Sequence, residues 1–204
     1  MPSNVKVFKY KSCQVLVQEE LAQDATDSTD IALGWYVWPS AVVLADFIAS
    51  NPNFIVNMNV IELGSGTALP GLLASMLGAT HVLLTDKSKD ELDVAARSIQ
   101  LNKLSQERIS TKTLLWGDIS PLDFPVDVVL AADCFYDPKD FEAIIATLAS
   151  ICKRNPSCQV IIAYQLRSVH YTIQPYLTRF HLQAQQLCVV DNIYLILLTS
   201  TSIA

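Results

Sequence analysis

The chain repeats one unit: a short apolar run of strand length, a turn, then a segment with apolar residues at helical spacing. Val60–Leu63 ends in Gly64-Ser-Gly66, and Leu69–Leu77 follows with helical spacing until Gly78 stops it. His81–Thr85 ends at Asp86, and Lys89–Leu101 carries Leu92, Ala95, Ala96, Ile99 and Leu101 near helical spacing. Ile109–Trp116 alternates as a strand does. Val126–Ala132 is apolar apart from Asp127, as a central parallel strand covered on both faces should be. Phe141, Ile144, Ile145, Leu148 and Ile151 form a helical stripe. Val160–Tyr164 is the next strand, Tyr171–Thr178 a candidate helix, and Leu182–Val190 with Asn192–Thr199 a closing hairpin. Strands separated by helices require right-handed crossovers and a mostly parallel sheet, so the expected class is α/β with helices on both faces.

The first fifty residues differ. Val5–Glu20 reads as one or two strands, Ala22–Thr29 is polar and turn-rich, and Gly34-Trp-Tyr-Val-Trp-Pro39 leads into a helix near Ala41–Ile48 with Ser40 as its N-cap. With 204 residues, no internal repeat and no dividing linker, the expectation is a single domain over 1–204. Within it, 1–50 supply N-terminal strands and a cover helix, and 51–204 the α/β core.

Composition narrows the function classes. At 51% hydrophobic and 17% charged residues the chain is neither disordered nor low-complexity. A net charge of −6 argues against direct electrostatic binding to nucleic acid or to an anionic membrane surface. No apolar run approaches the roughly 18 residues of a membrane-spanning helix, and Met1–Lys11 has no secretory core. Five cysteines at 13, 134, 152, 158 and 188 lack paired spacing and read as reduced thiols of a cytoplasmic or nuclear protein. The three histidines have no metal-ligand spacing, so no metal is expected.

The sharpest chemistry lies in Glu62-Leu-Gly64-Ser-Gly66, directly after a strand and before a helix. Glycines there permit a tight turn and let backbone amides approach a ligand. A dinucleotide site would carry a third glycine where this chain has Leu69, which argues against a nicotinamide-dependent reductase. An acidic residue followed by two glycines instead resembles the turn of S-adenosylmethionine-dependent methyltransferases. By that resemblance Gly64, Ser65 and Gly66 face the cofactor's methionine part, while Glu62 acts through water or the turn backbone. The alternative is a merely structural strand-to-helix turn. Asp86 ends the second strand, twenty residues after Gly66, where a carboxylate can accept hydrogen bonds from a ribose diol; it is also a common capping residue. Trp116 can pack against an adenine face, with Asp118 or its backbone near the adenine amino group, or can simply close the core edge. Asp133 and Tyr136 end the central strand near the sheet's switch point, where a carboxylate can orient a substrate amine and a tyrosine can wall the transfer site; capping and packing are the alternatives. Cys134 has no base partner, and Arg167 reads equally as a channel residue or a solvated turn.

Together these residues resemble the seven-β-strand methyltransferases of family 16, the lysine-methyltransferase-like group, over Trp35–Thr199. Four segments carry the likeness: 38–45 (Trp-Pro-Ser-Ala-Val-Val-Leu-Ala), 61–71 (Ile-Glu-Leu-Gly-Ser-Gly-Thr-Ala-Leu-Pro-Gly), 115–118 (Leu-Trp-Gly-Asp) and 131–136 (Ala-Ala-Asp-Cys-Phe-Tyr). The segments 36–39, 133–142 and 163–168 are most similar to one branch of that group. The resemblance implies strand order 3-2-1-4-5-7-6, counted from Val60–Leu63 as strand 1, with strand 7 antiparallel. It implies S-adenosylmethionine as cofactor, held by Trp38, Gly64, Ser65, Gly66, Asp86, Trp116 and Ala132. It further implies methyl transfer to a Lys or Arg nitrogen of a protein substrate, which the acidic balance allows to be basic. Asp133 and Tyr136 are the candidate catalytic residues, and a monomer is expected. The rival reading is a non-catalytic methyltransferase-fold module that grips a protein partner.

Overall fold

The alternating segments fold as their spacing predicts. The computed structural model describes residues 3–20, 35–118, 120, 122, 124–167 and 171–201; the polar Ala22–Thr29 stretch and Gly34 lie outside them. In chain order the elements are β1 (Ser3–Lys9), β2 (Gln14–Glu20), α1 (Pro39–Ser50), β3 (Asn59–Leu63), α2 (Leu69–Leu77), β4 (His81–Asp86), α3 (Lys89–Leu101) and β5 (Ile109–Thr113). They continue as β6 (Val128–Ala132), α4 (Phe141–Arg154), β7 (Gln159–Gln165), α5 (Gln174–Arg179), β8 (Leu182–Val190) and β9 (Ile193–Ser200).

The seven-stranded sheet has the order β5-β4-β3-β6-β7-β9-β8, the order implied by the family resemblance. Strands β3 to β7 pair in parallel, and β9 runs antiparallel to both β7 and β8. Alternation along the central strands divides the core. Val60, Val128, Leu130 and Ile161 pack with α1 and α2, whereas Ile61, Val129, Ile162 and Leu148 of α4 form the opposite layer. No helix among the described residues is long and apolar enough to cross a membrane.

Val5–Glu20 forms two antiparallel strands, a separate ribbon laid on α3. Its buried Val15 and Val17 join the α1–α2 core layer. The Gln18 amide donates to Ser98 Oγ (2.9 Å), and the Leu16 amide donates to Asn102 Oδ1 (2.8 Å). Three boundaries differ from expectation. Ser40 is not the N-cap of α1: the helix begins at Pro39 and Trp38 takes the cap position, with the Trp38 carbonyl accepting from Ala41 N (3.0 Å). Strand β5 stops at Thr113, three residues short of Trp116, and Leu114 donates to the Asp86 carbonyl (2.9 Å). The helix expected from Tyr171 starts at Gln174, where Pro175 suits its first turn.

One buried contact joins the central strand to the helix behind it. Glu62, 1% exposed, accepts a hydrogen bond at Oε2 from the Gly71 amide in the first turn of α2 (2.9 Å). A Cβ on Gly71 would stand 2.5 Å from Glu62 Oε2 and would overlap Leu84 Cδ2. Burial pushes the Glu62 carboxyl up to about 8; the Gly71 amide opposes the shift, and the Asp86 charge adds to it.

Two measurements check this contact. Alanine is ordinarily the better helix residue by about 1 kcal/mol, but overpacking here costs about 1–3 kcal/mol. Gly71→Ala is therefore expected to lower the melting temperature by several degrees, and an unchanged or raised value would contradict the packing. Glu62 holds its proton in the folded state between its ordinary 4.5 and about 8, so its stabilising share is complete below that window and lost as pH rises through it. Glu62→Gln, neutral throughout, should gain stability relative to the wild type between pH 5 and pH 8 in urea unfolding. Parallel pH profiles would mean that the carboxyl is already ionised.

Candidate active site

Strand β3 sits at the point where the chain leaves in opposite directions, to β4 on one side and to β6 on the other. At such a switch point the turns after adjacent strands diverge and open a crevice beyond their carboxyl ends. Here a cavity of about 640 Å³ opens at that place. Trp38, Glu62, Gly64, Ser65, Gly66, Asp86, Trp116, Ala132, Asp133 and Tyr136 all line it. Asp118 does not: it is exposed, and its carboxylate accepts from the Ser120 amide (2.9 Å) in a local turn.

The Gly-rich turn forms one wall. Gly64 and Gly66 have φ of 60° and 48°, a left-handed backbone that glycine adopts at little cost. A Cβ at Gly64 would stand 3.1 Å from Cys134 Sγ and 3.2 Å from Trp116 Cζ2, so a side chain there would close this end of the cavity. The turn is tied to β4 twice. Ser65 donates to the Thr85 carbonyl (2.9 Å), and Gly66 donates to Asp86 Oδ2 (2.8 Å). Asp86 Oδ1 accepts from the Lys87 amide (2.7 Å), and the carboxylate also hydrogen-bonds with Glu91. Ser65 Oγ is buried with no hydrogen-bond partner. Glu91, in the first turn of α3, also lines the cavity; burial first, then its hydrogen bond with Asp86, pushes its carboxyl up to about 7.

Aromatic rings form much of the remaining wall. Trp116 is set by the next residue, whose Gly117 amide donates to Thr147 Oγ1 of α4 (2.8 Å). Its ring meets Tyr136 edge-on at 6.1 Å between centroids. Trp38 is extended, as the residue before a proline tends to be. Tyr36 meets it edge-on at 5.7 Å. Between them the Val37 amide donates to Glu19 Oε1 of β2 (2.8 Å), and Lys6 of β1 pairs with the same carboxylate (2.9 Å).

Asp133 follows β6 with φ of 54°, and its amide donates to the Ala163 carbonyl (2.7 Å). Arg167 Nη2 donates to Asp133 Oδ2 (2.5 Å), so Arg167 belongs to the cavity wall and not to a solvated turn. Cys134 donates to the Leu63 carbonyl (3.2 Å), and burial pushes its thiol well up, which makes it a packing group rather than a nucleophile. Burial also raises Tyr136, with Asp140 adding to the shift. Tyr36, Lys87, Glu91, Lys139 and Asp140 also line it. Tyr36, Lys139 and Asp140 fall in segments that carry the family likeness, whereas Lys87 and Glu91 read in the sequence as ordinary helix-start residues.

Residues 17–180 match the lysine methyltransferase family. The histone-arginine methyltransferase METTL23 of Xenopus laevis is 36% identical over 155 residues, which cover 74% of this chain and 65% of that protein. The protein-lysine methyltransferase METTL21E of Bos taurus is 28% identical over 191 residues, covering 90% of this chain and 64% of that protein. The chain thus spans less than two thirds of either relative's length. Among solved structures, ribosomal protein L11 methylase from Lactobacillus delbrueckii subsp. bulgaricus shares the fold, with a TM-score of 0.66 at 18% identity over 81% of each chain. The family match runs from within β2 to the end of α5 and includes every residue of the cavity wall; this chain belongs to the lysine methyltransferase family.

Proposed function

We propose that the protein transfers a methyl group from S-adenosylmethionine to a side-chain nitrogen, of Lys or Arg, in a protein substrate. The observation that carries this reading is the meeting of an open Gly-rich turn, a strand-end carboxylate and an aromatic rim in one cavity of about 640 Å³. The residues fit such a cofactor. Gly64 has no side chain to separate the turn from the Trp116 ring, and Ser65 Oγ is a buried polar atom without a partner in the protein. When bound, the cofactor supplies a methyl carbon activated by a sulfonium, which departs as a neutral thioether keeping the electron pair of the broken S–C bond.

The chain's own residues bind, orient and exclude water. Gly64, Ser65 and Gly66 take the methionine part, and Asp86 accepts from a ribose hydroxyl. Trp116 packs on the adenine, and Trp38 and Ala132 close the cofactor's flank. Glu62 acts at one remove, through the Gly71 amide that sets the start of α2. Asp133 and Tyr136 hold the acceptor nitrogen. The acceptor is cationic at rest, so it first gives up a proton to solvent and its nitrogen then forms the new N–C bond with the lone pair that this makes available. The site must therefore orient a group that arrives as a cation. The relatives named above act on arginine in one case and lysine in the other, and both acceptors fit a carboxylate. The same reading treats residues 1–204 as one methyltransferase domain, with N-terminal strands and a cover helix in 1–50 and the cofactor-binding α/β core in 51–204. It also takes the enzyme to be a monomer of the cytoplasm or nucleus. A net charge of −6 favours a basic protein substrate.

Calorimetry with S-adenosylhomocysteine tests the cofactor half. Asp86→Ala should weaken binding by about 1–3 kcal/mol, the loss expected for hydrogen bonds to a charged group. Wild-type affinity in that variant would remove Asp86 from the site. Transfer is read as radiolabelled methyl incorporated into lysate protein. Asp133→Asn should lower the rate about tenfold or more while leaving S-adenosylhomocysteine affinity within about twofold. Equal losses in both would make Asp133 a support of the pocket and not an acceptor-side group.

A further inference from the structure

Arg167 lies two residues past the end of β7, and its side chain reaches across to Asp133 at the end of β6. Nη2 is 2.5 Å from Asp133 Oδ2, and Cζ lies 5.6 Å from the centre of the Trp38 ring. The two partners are unequally exposed: the Asp133 side chain is 6% exposed and that of Arg167 42%. Asp133 Oδ1 is buried and accepts no hydrogen bond. A cavity-lining carboxylate with one oxygen already on a guanidinium, the other covered and unpartnered, and an indole ring beside it, is a receptor for a guanidinium. The planar fork can meet both oxygens while the cation lies over the ring.

A closed structural ion pair would look different, with both oxygens used and both partners buried. Here the buried carboxylate is half-satisfied by a cation that keeps nearly half its surface in water. A buried carboxylate left without any cation is costly, so Arg167 leaves only as another cation takes its place, and its own 42% exposed side chain regains water when it does.

We propose that Asp133 and Trp38 form the receptor for an acceptor guanidinium, and that Arg167 occupies this receptor in the free protein as a built-in competitor. It rests on the methyltransferase reading only for the identity of the visitor, an arginine side chain of the substrate. Arg167 thereby sets specificity. The receptor admits a group able to replace a forked, planar cation, and the affinity for the visitor is reduced by the fraction of time that Arg167 is in place. If Arg167 is seated nine-tenths of the time, the reduction is about tenfold.

The test uses ethylguanidinium, an arginine side-chain analogue, and butylammonium, its lysine counterpart, titrated into the full chain. Binding is followed by the indole N–H resonance that disappears in Trp38→Phe. Removing the competitor in Arg167→Met should tighten ethylguanidinium about three- to tenfold relative to the wild type, with butylammonium weaker in both. The gain should vanish in the Arg167→Met, Asp133→Asn double variant. Arg167→Gln should reproduce the gain, which guards against a poorly folded methionine variant. Equal or weaker ethylguanidinium binding in both Arg167 variants would overturn the proposal, as would a gain that survives Asp133→Asn or butylammonium binding as tightly as ethylguanidinium. S-adenosylhomocysteine binding is measured on the same samples. Its absence beside a clear ethylguanidinium gain would sink the enzyme reading and leave the receptor standing; its presence without the gain would sink the receptor alone.

Discussion

Three carboxylates taken out of water govern the geometry of this molecule. Glu62, Asp86 and Asp133 stand at or next to the carboxyl ends of three adjacent parallel strands, with exposures of 1%, 8% and 7%. A buried carboxyl group left without a partner is costly, so each recruits one, and each partner ties down a different piece of the chain. Glu62, whose proton burial helps retain, takes the Gly71 amide and sets where α2 begins. Asp86 takes the Gly66 and Lys87 amides and binds the Gly-rich turn to the neighbouring strand. Asp133 takes the Arg167 guanidinium from just past the end of β7. The first two are held by backbone amides and the third by a side chain, the partner that the proposed receptor exchanges.

The aromatic rim depends on a second set of long-range ties. Trp38 reaches the cavity because its neighbour Val37 is held by Glu19, which in turn is paired with Lys6. The ribbon that carries both residues is fastened to α3 through Ser98 and Asn102. The N-terminal ribbon, outside the main sheet, thus determines the position of a ring at the cavity mouth. The Lys6 ammonium lies 4.5 Å from the centre of the Tyr36 ring, which adds a cation–π contact to the same chain of supports.

Much of this was legible in the residues themselves. Strands buried on both faces must be apolar throughout, and helices between them must be amphipathic, so β3 through α4 could be placed to within a residue or two at most ends. The family motif likewise names residues that all fall on one cavity, because a Gly-rich turn, a strand-end Asp and the Asp-Cys-Phe-Tyr run occupy neighbouring strand ends once the crossovers are right-handed. Ser40, Trp116 and Tyr171 lie where local pattern allows an element to start or continue. Prolines mark the starts of α1 and α5, Pro39 and Pro175, and β5 ends where β4 does, with Thr113 opposite Asp86 and the Leu114–Asp86 bond as the last rung.

Local periodicity determined the succession of strands and helices and, with the shared handedness of parallel crossovers, a mostly parallel sheet; the strand order came from the family resemblance, and the residue types at the crevice from the motifs that carry it. Sequence could not decide how the polar groups at that crevice would be compensated. Whether Glu62 turns to a helix amide, whether Arg167 points into water or onto Asp133, and whether Asp118 joins the site or caps a turn depend on distances between atoms far apart in the chain. Those distances are set by packing of the whole domain. Periodicity reports which face of an element is buried, and it carries no information about which donor will stand within 3 Å of a given oxygen.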